Sequence, residues 1–270
     1  RNGRLSAHIM VFDSGIGGTT VLEHIKQRIP NAQYSYFMDN AFLPYGAQTQ
    51  QTIINRLCSL IHFIKLNKLN VDLIVIACNT ASTSALSAVR KITDIPIVGV
   101  VPAIKPAAEL THSNHIALLA TPATIASSYT KTLIAQHASN VIVNLYSSVE
   151  LVNLAEQLFF NDCLDAIKLH AVLEDLNIEK QVDVLILGCT HFPILAKQIS
   201  EYFENSIQLV DSGVAIASRV SYLLDELGLL AQNISDIKKP LQYYATANVF
   251  SDKLAVKLVT LIDPPEFEAR

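Results

Sequence analysis

The stretch VDLIVIACNTAS, residues 71–82, returns at an offset of 111 as VDVLILGCTHFP, residues 182–193. Each copy is an Asp-led apolar run, then a small residue (Ala77 or Gly188), then a cysteine (Cys78 or Cys189), with a threonine one or two places further on. A short, unbroken run of Val, Ile and Leu is the pattern of a strand buried on both faces, as in parallel sheets. Working outward, residues 8–12, 34–38, 115–119, 141–146 and 207–210 read the same way. Between them lie helical periods. Ile54, Leu57, Cys58, Ile61 and Ile64 recur at spacings of three and four within 51–67, and a second helix is expected over 161–176 with Cys163, Leu164, Ile167, Val172 and Leu176 apolar. Alternating β and α segments at this spacing predict an α/β fold with parallel-type sheets covered by helices. The echo predicts two related α/β halves, hence two similar α/β domains. Chain crossings near 97–106 and 210–214 would make the first domain from 1–97 plus 211–270 and the second from 98–210. In open α/β sheets ligands bind at the carboxyl ends of the strands. Two such domains facing each other would set Cys78 and Cys189 across one cleft.

Composition narrows the function classes. Half of the 270 residues are hydrophobic, 16% are charged and the formal net charge is −4, so neither disorder nor an electrostatic partner such as nucleic acid is expected. Lys238 and Lys239, ahead of Pro240, read as a solvated turn. No apolar stretch reaches the ~18 residues of a membrane span, and Asp13 interrupts the first apolar segment too early for a secretory leader. Four cysteines without a CxxC pair make no disulfide framework. The expectation is a cytoplasmic protein with reduced thiols, no membrane partner and a small-molecule substrate.

The candidate chemistry gathers at strand ends. Asp13-Ser14-Gly15-Ile16-Gly17-Gly18 follows a strand and precedes a helix, and Asp39 lies at the distance of a ribose-binding acid. Dinucleotide binding is nevertheless disfavoured, because Thr20 stands at the third glycine position and Asp13 would face a pyrophosphate. A glycine-rich turn with Asp13 as local acceptor is the plainer reading. Cys58 and Cys163 are expected to pack on apolar helical faces. Cys78 and Cys189 each end a strand and precede an expected helix start, where oriented N–H groups favour a thiolate. A zinc site is the rival, but Cys78, Cys189 and His191 offer no compact ligand pairing. An imidazolium at His191 would lower the pKa of Cys189, whereas a carboxylate raises a thiol's pKa, so Asp13 suits an ammonium or a proton. The other seven histidines read as surface or core residues. Pro44-Tyr45-Gly46 reads as a turn, while Asn79, Thr80, Thr121 and Thr124 supply uncharged donors suited to carboxylates.

Taken in order, VFDSGIGG (11–18), LPYG (43–46), ACNTAS (77–82), GVVPAIKPA (99–107), LLATPATIASSY (118–129), LGCTHFP (187–193) and LVDSG (209–213) resemble the glutamate racemase family over nearly the whole chain. The resemblance implies two α/β domains related by a pseudo-twofold with the active site between them, and neither pyridoxal phosphate nor metal, hence no cofactor. It implies that Cys78 and Cys189 are the acid/base pair, Cys78 acting on D-glutamate and Cys189 on L-glutamate, assisted by Asp13, His191 and Glu156. Ser14, Pro44, Tyr45, Gly46, Asn79, Thr80, Thr121, Thr124 and Thr190, with Asp13 and His191, would contact substrate. Ser147-Ser148 stands where many members have Cys-Pro, which loosens the alignment just ahead of Glu156. Racemisation needs a base on one face of Cα and an acid on the other. Without a pyridoxal electron sink, oriented donors must stabilise the carbanion. D-glutamate as product implies peptidoglycan synthesis in a bacterial cytoplasm. A homodimer and activation by a peptidoglycan precursor, as in some relatives, are further expectations. The alternatives are an aspartate or other amino-acid racemase and a non-catalytic amino-acid-binding protein.

Overall fold

The computed structural model describes residues 6–230 and 240–263; the expected turn at Lys238–Lys239 lies outside them. The first side of the molecule runs β1 (His8–Asp13), α1 (Thr19–Arg28), β2 (Gln33–Met38), α2 (Gln50–Leu66), β3 (Leu73–Ile76), α3 (Asn79–Arg90) and β4 (Ile97–Gly99). The second runs α4 (Ile104–Leu110), β5 (His115–Ala120), α5 (Pro122–Ala126), α6 (Ser128–His137), β6 (Ile142–Ser147), α7 (Glu150–Asn161), α8 (Ala166–Leu176), β7 (Val184–Leu187), α9 (Ala196–Tyr202) and β8 (Gln208–Val210). The chain then gives α10 (Gly213–Glu226), β9 (Gln242–Ala245) and β10 (Val256–Leu258).

The fold is α/β, as the repeat predicts. One sheet has the order β10-β9-β2-β1-β3-β4 and the other β6-β5-β7-β8, and every pairing is parallel. The run β2-β1-β3-β4 has the same connectivity as β6-β5-β7-β8, so β3 and β7, the two echoing strands, occupy equivalent central places. β1, β3 and β7 are buried at every residue, which is why their sequences are apolar without alternation. The repeated aspartates also do parallel work. Asp72 accepts the His8 N–H at 2.8 Å, and Asp183 accepts the His112 and Ser113 N–H groups at 2.7 and 2.9 Å. Each ties the start of its strand to the chain entering the neighbouring strand. Those bonds and the Thr111 hydroxyl outweigh a modest desolvation and hold the Asp183 pKa down at about 2.

Several sequence expectations need correction. The segments 141–146 and 207–210 are not fully buried strands: β6 and β8 are the edge strands of their sheet, with Ile142 53% exposed and no residue of β8 buried. The helix expected over 161–176 is two helices. Asp162 adopts a left-handed conformation (φ 50°) that ends α7, and Asp165 caps α8 through the Lys168 N–H. Cys163 therefore sits exposed in the connector, while Ile167 points to solvent; Cys58 is buried on α2 as expected. The short strands β4, β9 and β10 were not anticipated. Among the described residues, no helix is long and apolar enough to cross a membrane.

Candidate active site

The carboxyl ends of β1, β3, β5 and β7 converge, and each delivers polar residues to the seam between the sheets. A cavity of about 270 Å³ there is lined by Ser14, Pro44, Tyr45, Gly46, Cys78, Asn79, Thr80, Thr121, Val152, Cys189, Thr190 and His191. No lysine or arginine is among them. Both thiols are nearly enclosed, at 7% and 8% exposure. Of the residues expected at a site, Thr124, Asp13 and Glu156 stand immediately behind this lining. Val152 was missed; it lies four residues before Glu156, on the same face of α7, and that spacing is the signal that could have found it.

The two thiols are held differently. Cys78 caps α3, its Sγ accepting the Ala81 N–H at 3.4 Å. Burial nevertheless pushes the Cys78 pKa well up, reinforced by the charge of Asp13 and only partly offset by the Ala81 N–H and the Ser14 side chain. The thiolate expected there from the helix start is thus overruled by desolvation. Cys189 does not directly precede an α-helix. It enters a turn and then a one-turn 3-10 helix (Phe192–Leu195) before α9. What it has instead is His191, whose Nδ1 lies 3.9 Å from its Sγ, with Nε2 2.7 Å from Glu156 Oε1. Burial would lower the pKa of His191, but its bonds to Cys189 and Glu156 and the Cys189 and Asp13 charges hold it well above the ordinary imidazole value.

The same carboxylates stitch the seam. Glu156 Oε1 also accepts the Ile16 N–H at 2.7 Å. Asp13 is fully buried, accepts the Thr190 hydroxyl at 3.0 Å and the Gly15 N–H at 3.1 Å, and has its pKa raised by burial. Thr80 and Thr121 share a hydroxyl bond of 2.6 Å, with Thr124 at 3.4 Å from each. Gly15 and Gly46 are required by close approach. A Cβ on Gly15 would collide with Glu156, and one on Gly46 would lie 2.5 Å from Thr121 Cβ. Asn79 Oδ1 is buried without a partner among the described residues, an acceptor left for a donor that enters the cavity. No group of three or more His, Cys, Asp or Glu among them is placed to hold a metal.

The profile of the Asp/Glu/hydantoin racemases matches residues 17–220, which includes both thiols. The chain belongs to that family. Glutamate racemase of Shewanella pealeana is 45% identical over 257 residues, 94% of this chain and 95% of the relative. That of Shewanella frigidimarina is 44% identical over 96% of this chain and 100% of its own. Among solved structures, Escherichia coli glutamate racemase in complex with L-glutamate and the activator UDP-MurNAc-ala superposes with a TM-score of 0.80 at 36% identity, covering 90% of each chain. The Francisella tularensis enzyme in complex with D-glutamate gives 0.76 at 28%, covering 96% of this chain and 99% of its own.

Proposed function

We infer that this racemase interconverts L- and D-glutamate, with Cys78 and Cys189 exchanging a proton with Cα from opposite faces. The observation that carries the reading is the placement of two thiols from equivalent strand ends around one small cavity whose lining holds no lysine or arginine. The relatives at 44–45% identity over nearly the whole chain are glutamate racemases, so the aspartate and binding-protein alternatives are not favoured. The reading treats 1–97 with 211–270, and 98–210, as the two domains, each supplying one thiol. Sheet membership supports that division.

In the forward direction Cys189, beside the His191 imidazolium, takes the α-proton of L-glutamate as a thiolate. Cys78, which burial favours as the neutral thiol, delivers a proton to the other face. The unpartnered Asn79 Oδ1 faces the substrate ammonium, with the Asp13 carboxylate behind it adding its field. The Ser14, Asn79, Thr80, Thr121 and Thr190 donors serve the carboxylates, where a lysine or arginine would bind ground state and carbanion alike. Glu156 orients His191 and, through the Ile16 N–H, ties that imidazole to the opposite side of the cleft. The product serves peptidoglycan synthesis in a bacterial cytoplasm. Purified protein given L-glutamate and no cofactor is expected to bring optical rotation to zero; a stable signal would refute the assignment.

A groove of about 680 Å³ beside both chain crossings is lined by Arg90, Gly99, Val101, Ser212 and Arg219. Its two guanidinium groups suit a phosphorylated precursor of the kind bound by the Escherichia coli relative. Added UDP-MurNAc-ala is expected to raise turnover, and unchanged kinetics would remove this partner.

A further inference from the structure

A second buried charge lies one strand from the thiols. Asp39, just past β2, is fully enclosed, and four donors converge on its carboxylate. Arg56 grips it with Nε at 2.8 Å from Oδ2 and Nη2 at 2.7 Å from Oδ1. The Thr246 hydroxyl reaches Oδ1 at 2.7 Å, and the Tyr45 hydroxyl reaches Oδ2. Arg56 comes from the first half of α2, its guanidinium 4.0 Å above the Phe42 ring and its side chain 11% exposed. Taking two charges out of water costs several kcal/mol per ion, so such a pair is a poor source of stability on its own. Its use must be sought in what it fixes.

What it fixes is one wall of the cavity. Tyr45 packs its ring against Phe12 and, with Pro44 and Gly46, lines the side of the site that also holds Cys78. Its hydroxyl is committed to Asp39. Burial, followed by the Asp39 charge, raises the Tyr45 pKa far enough to keep that hydroxyl a donor, so the tyrosine contributes shape rather than acid–base chemistry. On its other side the same segment meets Thr121, against which Gly46 has no room for a Cβ. The wall is clamped between the ion pair behind it and a threonine from the opposite sheet in front.

We propose that Arg56 is a positioning residue for the reaction: through Asp39 and the Tyr45 hydroxyl it holds the 44–46 wall at the separation from Thr121 and Cys78 that the bound substrate requires. This rests on the assignment of the cavity as the glutamate site. Arginine is specified because only its planar fork meets both carboxylate oxygens and leaves each with a lone pair for Tyr45 or Thr246. Lysine would supply the charge without the geometry.

The test uses the full chain with Arg56→Lys, Tyr45→Phe and the double variant, measuring kcat and KM from both enantiomers. Each single change is expected to raise KM about tenfold in both directions, the scale of one charge-assisted hydrogen bond, with kcat within about threefold. Because both act along one path, the double variant is expected to be no worse than the poorer single. Singles that lower Tm but leave KM unchanged would mark a merely structural pair and overturn the proposal, as would multiplicative losses in the double variant. If Arg56→Lys does not fold, Tyr45→Phe decides alone, since it leaves the ion pair intact; an unchanged KM there is fatal. A parent protein that does not racemise glutamate is a different failure: it removes the reading of the cavity itself.

Discussion

Cys78 and Cys189 end equivalent strands of two sheets with the same order, yet their surroundings are opposite in character. Cys78 has a helix N-terminus, a buried carboxylate and no cation; burial and Asp13 together keep it a thiol. Cys189 has no α-helix starting directly after it but sits against an imidazole whose pKa, despite burial, is held well up by its contact with the thiol and then by Glu156. The backbone is duplicated and the electrostatics are not. A reaction run by two bases needs one to start as acid and the other as base. Matching strands bring both thiols to one cavity, and their neighbours there are unlike.

The largest effect expected is on the thiols themselves. Cys78→Ser and Cys189→Ser are each predicted to cut net racemisation on the order of 10⁴-fold, since a hydroxyl is far weaker as acid or base partner than a thiol. The comparison adds a finer outcome. Cys189→Ser retains slow solvent exchange of the α-hydrogen of D-glutamate, and Cys78→Ser that of L-glutamate. Near-parent racemisation by either variant would show that the two sites are not separate acid and base.

Replacing the neighbours tests the asymmetry. The equilibrium constant between enantiomers is one, so any variant must lose kcat/KM equally in both directions. His191→Asn is predicted to cost about 10²-fold and to make the Cys189 step limiting. α-Deuterated L-glutamate then shows a large isotope effect on kcat/KM, while α-deuterated D-glutamate shows almost none. Asp13→Asn is predicted to show an isotope effect from both enantiomers, because the Asp13 charge acts on Cys78 and on His191 alike. Equal isotope effects from both enantiomers in His191→Asn would dissolve the distinction between the two surroundings.

The repeat at 71–82 and 182–193 made the two sheets and both thiols legible, because fully buried parallel strands leave an unbroken apolar run that needs no tertiary information. Edge positions were not legible. β6 opens with an apolar pair, Ile142-Val143, as β7 does but exposes Ile142, and β4, β9 and β10 are three or four residues long with no period to read. The connector holding Cys163 was invisible because its stop signal is a left-handed Asp162, not a glycine or proline. At the site, the residues at strand ends could be read and their electrostatics could not. Strand-then-cysteine suggested a thiolate at both places, whereas burial pushes the Cys78 pKa up. Asp39 carried a misleading resemblance to a ribose acid; its partner Arg56, on the following helix, has no sequence signature.

A smaller effect follows from pH. The His191 pKa is raised in the folded protein, so its pairing contributes stability that is full below the unfolded value of about 6.5 and is lost as pH rises through the folded value. The Tm advantage of the parent over His191→Asn is therefore expected to shrink by a few degrees between pH 6 and pH 9. A difference that stays constant across that range would mean the imidazole is neutral in the folded state.

The most direct test of two bases on opposite faces is hydrogen isotope tracing in D2O at low conversion. L-glutamate loses its proton to Cys189, and the deuteron delivered to the other face comes from Cys78, which has already exchanged with solvent. Newly formed D-glutamate is predicted to carry deuterium at Cα in essentially every molecule, while recovered L-glutamate carries little. Substantial protium in the product, together with deuterium washing into the substrate, would mean one base serving both faces and would contradict the account.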